Sequence, residues 1–231
     1  MGSAAVVRPP SKEFIRVYHL LPAEYGLIAI GLRRLKVARF SDLNDPFELM
    51  ALNFRERRIR NIVRDFKNAY DAKTGLLCFS ADWTSTVLWS HYAEKHRGIC
   101  LGFNLLRECA ETVLYEDQRI GAELEDSEPT RLDNDLQELL LCTKFHHWRY
   151  EEEVRRFVSL EQAVQEGNLY VYPFNQSLQL TEVILGPQCN LSLDEVRNLA
   201  KAVHTGVAVF KSRLAHKWFS VVPEESTVPP L

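Results

Sequence analysis

A chain of 231 residues that is 46% hydrophobic, 26% charged and of net charge −3 is not a disordered polymer. The near-neutral balance gives no electrostatic case for general nucleic-acid or membrane-surface binding. A chain of this length buries roughly 70% of its unfolded surface, so it needs no disulfide or metal to stay folded. Residues 1–10 and 223–231 read as flexible tails around one domain at residues 11–222. The first element is a strand, Phe14 to Leu20, rich in β-branched and aromatic residues. Pro22 then opens a helix to about Arg34, and the alternating stretch Leu35 to Phe40 reads as a half-buried strand. Ser41 to Glu48 is a loop. Arg55 to Ala72 is an amphipathic helix with Ile59, Ile62, Val63, Phe66 and Tyr70 on its apolar face. A buried strand at Gly75 to Ser80 leads to a helix from Thr84 to His96, stopped by Gly98, and to a strand at Ile99 to Phe103. Glu116 to Asp135 is acidic and poor in apolar residues, which predicts a surface loop. A helix from Leu132 to about Phe145 precedes strands at Glu153 to Val158, Leu169 to Tyr172 and Leu180 to Leu185. Ser192-Leu193-Asp194-Glu195 is a capping-box pattern that opens a helix to about His204, and strands at Val207 to Phe210 and Trp218 to Val222 follow. Strands separated by loops and unequal helices predict an α+β fold: a mixed, largely antiparallel sheet flanked by helices.

Several chemistries find no support. The five cysteines are scattered, odd in number and without a CxxC pair, as expected of small buried residues in a reducing cytosol. His91 and His96 lie about 140° apart on a helix, His146 and His147 are adjacent, and no HExxH occurs, so no metal site is expected. Neither GxGxxG nor GxxxxGK[ST] is present. The first ten residues lack the apolar core of a targeting peptide, and Val6 stands where a myristoylation pattern needs Ser or Thr. No apolar run nears the roughly 20 residues of a membrane span. A cytoplasmic protein without a membrane partner is expected, with Gly2-Ser3 either native or an expression scar.

Three segments exceed what a scaffold needs. Asn44-Asp45-Pro46-Phe47-Glu48 is either a fixed turn or a rigid loop presenting polar atoms at a pocket rim. In the second segment, Cys78-Phe79-Ser80 precedes Leu88-Trp89-Ser90-His91-Tyr92-Ala93 and Arg97 to Phe103. Trp89, Tyr92, Ala93 and His96 share one helix face there, as core or as a ligand platform. In the third, Lys144 to Arg155, a strand starting near Glu151 places Glu151, Glu153 and Arg155 on one pleat. That group is either an Arg–Glu network or a carboxylate pair with one catalytic and one orienting member.

Together these blocks resemble the bacterial family called domain of unknown function 2971. Its "fNDPFE" is similar to Leu43 to Glu48, its "CFS" to Cys78 to Ser80, and its "lWaHYaxxHxGicLGF" to Leu88 to Phe103. Its "K…WxYExExR" is similar to Lys144, Trp148, Tyr150, Glu151, Glu153 and Arg155, and its "xEVILG" to Glu182 to Gly186. The resemblance spans about residues 14 to 222 and implies no activity by itself. The order of motifs is also similar to that of ADP-ribosyltransferases, in which three strands surround a bound NAD. That similarity implies first-motif residues at Tyr18 or His19, a second motif at Ser80, and a third at Glu151 and Glu153. The second motif departs from the Ser-Thr-Ser triplet of one branch, since Phe79-Ser80-Ala81 stands there. The implied chemistry is cleavage of the nicotinamide–ribose bond, with Glu153 stabilising the cation and Glu151 or Arg155 holding it. Tyr92 or Trp89 would stack on nicotinamide, and His19 or Arg39 would meet the adenosine or pyrophosphate end. His91, Asn44, Asp45 and Lys144 complete the expected NAD contacts. NAD is then a substrate, no metal is required, the acceptor is an unknown protein or nucleic acid, and the role is that of a toxin or phage-defence protein. Two other classes stay open: a non-catalytic nucleotide- or protein-binding module, and a metal-dependent nuclease using Asp45, Glu48, Glu151, Glu153 and Lys144.

Overall fold

The computed structural model describes residues 9–53, 57–121 and 132–229. In chain order the strands and helices are β1 Phe14–Leu21, α1 Ala23–Leu32, β2 Arg34–Val37, β3 Leu52–Asn53, α2 Arg57–Asp71, β4 Thr74–Ser80 and α3 Thr86–Tyr92. There follow β5 Ile99–Leu106, β6 Glu111–Thr112, β7 Leu114–Glu116, β8 Ile120–Gly121, α4 Asn134–Leu141, β9 Thr143–Phe145 and β10 Glu153–Ser159. The chain finishes with β11 Val164–Glu166, β12 Leu169–Pro173, β13 Leu178–Leu185, α5 Leu193–Val203, β14 Ala208–Leu214 and β15 Val221–Pro223. The fold is α+β. Its main sheet has the order β15-β14-β13-β5-β1-β4-β10-β6. All its neighbours are antiparallel except the β13–β14 pair, which α5 connects as a crossover.

The period of two sorts each central strand between the faces of this sheet. Val17 and Leu21 of β1, Leu77 and Phe79 of β4, and Val154 and Val158 of β10 join a core that also holds Ala29 and Ile30 of α1 and Val196 and Ala200 of α5. On the opposite face, Leu20 packs with Leu88, Trp89 and Ala93, while Leu76 packs with Phe40, Leu49 and Leu141. Two separate apolar clusters thus share one face, and the polar residues between them line a cavity.

Helix starts follow the sequence signals. Ser85, Asp133 and Ser192 cap α3, α4 and α5 by accepting from Leu88 N, Leu136 N and Glu195 N. Helix ends do not. The helix expected to reach His96 stops at Tyr92, because Glu94, Lys95 and His96 all adopt positive φ, at 50°, 53° and 70°. This left-handed turn brings Gly98 so close to Leu21 O that a Cβ there would sit 2.3 Å from it. His96 therefore leaves the face it was expected to share with Trp89 and Tyr92. The helix expected over Leu132 to Phe145 ends at Leu141, and Thr143–Phe145 pairs in parallel with β7. The acidic stretch holds strand residues at Glu116 and at Ile120–Gly121, and its remainder to Arg131 lies outside the described residues. The last strand is Val221–Pro223 rather than Trp218–Val222. The expected tail at 223 is anchored instead: Thr227 Oγ1 accepts from Lys211 N, and Arg197 Nη2 donates to Thr227 O. Residues 1–8 and 230–231 lie outside the description.

Gly102 of β5 sits beneath Tyr18 and Glu182. A Cβ there would approach Glu182 Oε2 to 2.6 Å and Tyr18 Cε1 to 3.1 Å. Gly102→Ala is expected to cost about 1–3 kcal/mol by overpacking, read from the urea unfolding midpoint. A variant as stable as the parent would mean that Glu182 and Tyr18 have room to move.

Candidate functional site

The cavity, about 250 Å³ in volume, opens where β1 and β4 part. These strands are in register only at Tyr18↔Ser80, and β10 continues the row through Glu153↔Ser80. Tyr18, Ser80 and Glu153 therefore occupy one line across three adjacent strands. Beyond Ser80 the gap is bridged by the His19 ring, whose Nδ1 lies 2.8 Å from Cys78 O. A carbonyl only accepts, so Nδ1 carries the hydrogen. Burial lowers the pKa of His19, which keeps the ring neutral at physiological pH.

Lys144 Nζ stands among three carboxylates: 2.7 Å from Glu151 Oε2, 2.7 Å from Glu153 Oε2 and 3.5 Å from Glu48 Oε1. Arg155 lies beneath them. Its Nε is 2.9 Å from Glu153 Oε1, its Nη2 and Nη1 donate to both oxygens of Glu48 at 2.6 and 3.1 Å, and Nη1 also donates to Leu141 O at 2.6 Å. On the cavity side Tyr92 Oη donates a short hydrogen bond to Glu151 Oε1 and accepts one from Asn44 Nδ2 at 2.8 Å. Three carboxylates against two cations leave the cluster one negative charge in excess.

The protonation states follow from these neighbours. Burial pushes the Glu153 carboxyl up, but Arg155 and Lys144 pull it down further, to about 2. Burial alone would lower Lys144, yet Glu153, Glu151 and Glu48 hold it above its usual value. Burial, with the hydrogen bond to Glu151, raises the pKa of Tyr92, so it remains a phenol and a donor. Glu153 thus has a folded-state pKa below its ordinary 4.5. Its contribution to stability is full above that ordinary value and is lost as pH falls through the folded value. Denaturant titrations are expected to show about 3 kcal/mol lost between about pH 4.5 and 2. The loss should be absent in Glu153→Gln, and a loss of equal size in that variant would assign it to other carboxylates.

Eight of the twelve expected site residues line this one cavity: Tyr18, His19, Asn44, Ser80, Tyr92, Lys144, Glu151 and Glu153. Four do not. Trp89 is wholly buried, and its indole N–H donates to Trp83 O at 2.7 Å, so it packs beneath α3 and cannot stack on a ligand. Arg155, also fully buried, reaches no ligand and positions Glu153 instead. Asp45 spends its carboxylate on Phe47 N at 2.9 Å, which closes the turn before Glu48. His91 is exposed outside the cavity, with Nδ1 3.1 Å from Tyr150 Oη. Arg39, expected at the pyrophosphate end, is held by Asp71.

β10 begins at Glu153, as expected, so Glu151 stands outside the pleat it was read as sharing with Glu153 and Arg155. Glu151 closes a 3-10 turn and Glu152 adopts φ 42°, yet Glu151 and Glu153 still converge on Lys144. Glu48, named beforehand only as an acid of the nuclease reading, and Tyr115, not named at all, also join the site. Glu48 is only 1% exposed, and Tyr115 Oη accepts from Glu153 N at 2.8 Å. An acid that follows an Asn-Asp-Pro turn within one short block was the available signal for Glu48. Among the described residues no three His, Cys, Asp or Glu side chains are arranged to hold an ion. The Lys144 ammonium occupies the space between the three acids that a nuclease reading would give to a cation. No family model matches the chain, and neither does any curated protein sequence or solved structure.

Proposed function

We propose that the chain is an NAD-consuming enzyme of the ADP-ribosyltransferase type, acting in the cytoplasm, and that its resemblance to domain of unknown function 2971 reflects common descent. The observation that carries this reading is the row Tyr18–Ser80–Glu153 on three adjacent strands at the opening between β1 and β4. The chemistry supports it. Cleavage of the nicotinamide–ribose bond returns the bonding pair to the ring nitrogen and leaves positive charge on the ribose carbon. A pocket with one negative charge in excess favours both the cationic nicotinamide ring and the ribosyl cation that follows. Glu153, ionised throughout the physiological range, supplies that charge. Lys144 holds Glu151 and Glu153 together, Tyr92 offers an aromatic face at the cavity wall, and water or an acceptor nucleophile completes the new bond to the ribose carbon. Five unpaired cysteines suit a reducing compartment.

One observation favours a second reading, a non-catalytic nucleotide-binding module. Both oxygens of Glu153 already accept from Arg155 or Lys144. Incubation with NAD and quantification of free nicotinamide separates the two. Release that depends on the protein supports the enzyme. Saturable NAD binding without release supports the module, and neither binding nor release sinks both.

A further inference from the structure

We propose that the exposed face of α2 binds the phosphate backbone of a nucleic-acid strand, a function that does not depend on the chemistry of the cavity. α2 carries Arg57, Arg58, Arg60, Arg64 and Lys67 against Asp65 and Asp71, a net +3 in a chain whose total is −3. Val63 faces the core with Ile62 and Phe66, which leaves Arg57, Arg60 and Arg64 exposed. At 100° per residue, Arg57, Arg60, Arg64 and Lys67 fall within an arc of about 80°, along a stripe about 15 Å long. Asn61 and Asn68 border the stripe and add neutral hydrogen-bonding groups.

Arg60 is engaged by a neighbour but is exposed, so a phosphate competes for it in water, and the two acids of α2 weaken the stripe little. Asp71 is turned to Arg39 Nη2 at 3.0 Å and to Phe40 N at 2.8 Å. Asp65 pairs with Arg64 at 3.1 Å, but both side chains are more than half exposed, so a phosphate competes for Arg64 in water. Lys67 Nζ donates to Glu48 O at 3.2 Å, a neutral partner, and forms no ion pair among the described residues.

The composition of the face chooses among anionic partners. No aliphatic or aromatic residue is exposed along it, so it lacks the apolar side by which a basic helix enters a bilayer. Without an aromatic platform it does not stack bases, so contacts go to phosphates and carry no sequence preference. A straight, regular row of guanidinium groups suits a repeating anion better than the scattered carboxylates of a folded protein.

The test is fluorescence anisotropy of the full chain with a labelled single-stranded RNA of mixed sequence and with duplex DNA. The wild type is expected to bind and to weaken steeply between about 50 and 200 mM salt. Arg57→Gln, Arg60→Gln and Arg64→Gln combined should lower affinity on the order of tenfold or more and flatten the log–log salt slope by about 0.7 per lost contact on single strands. The same positions changed to Lys should keep the slope, which separates lost charge from lost fold. No binding by the wild type at low salt, or an unchanged slope in the Gln variant, overturns the proposal. Equal binding to phosphatidylserine vesicles or to polyglutamate also overturns it, in favour of a membrane or an acidic protein.

Discussion

Replacing Arg155 with alanine is expected to lower stability by about 3–5 kcal/mol, the cost of leaving buried charges without their partner. For a chain of this size that corresponds to a fall in Tm of roughly 6–20 °C. The guanidinium is fully buried and joins Glu48 and Glu153, which are 1% and 3% exposed. Without it only Lys144 opposes three carboxylates, each less than a tenth exposed. Arg155→Lys should recover little, because one ammonium cannot reach both oxygens of Glu48, both of Glu153 and Leu141 O together. Combining Arg155→Met with Glu48→Gln and Glu153→Gln should restore part of the loss, since it removes the stranded anions along with the cation. Guanidinium unfolding checks the series. A loss below about 1 kcal/mol for Arg155→Ala would place the cluster in solvent and deny it a structural role.

Glu153→Gln is expected to reduce nicotinamide release about 10²–10³-fold while NAD affinity changes far less. The amide keeps the shape of the side chain and one acceptor oxygen, turns the other into a donor, and removes the charge, which leaves two carboxylates against two cations, a neutral cluster. The pocket then no longer favours the ribosyl cation over the ground state. Because Glu153 stays ionised down to about 2, the wild-type rate should be flat through the mildly acidic range. Paired measurements of nicotinamide release and calorimetric NAD binding decide the matter. A variant within threefold of the wild type would remove Glu153 from the reaction and leave the binding module as the better reading.

Element types were legible in the sequence wherever local signals act. Pro22 and Ser192 marked helix starts, and Glu153 to Val158 was legible as the strand that β10 is. The ends of α3 and α4 were not legible, because pairing partners decide them. Thr143–Phe145 becomes a strand only through β7, and Glu94 to His96 turn left-handed where the chain must pass Leu21. The candidate site divides in the same way. Residue type located the blocks, but burial separated Trp89 and Arg155, which are fully enclosed, from Tyr92 and Glu151, which reach the cavity.

The sequence by itself determined an α+β chain with its ionisable residues of interest confined to three blocks, because period and capping are properties of neighbours along the chain. Only the tertiary structure decided which of those residues meet. Lys144 joins Glu48, Glu151 and Glu153 because the sheet order sets β1, β4 and β10 side by side and the Asn44–Glu48 turn folds over them. The near-neutral total charge likewise concealed one basic helix and one acidic cavity, since a sum over residues carries no position.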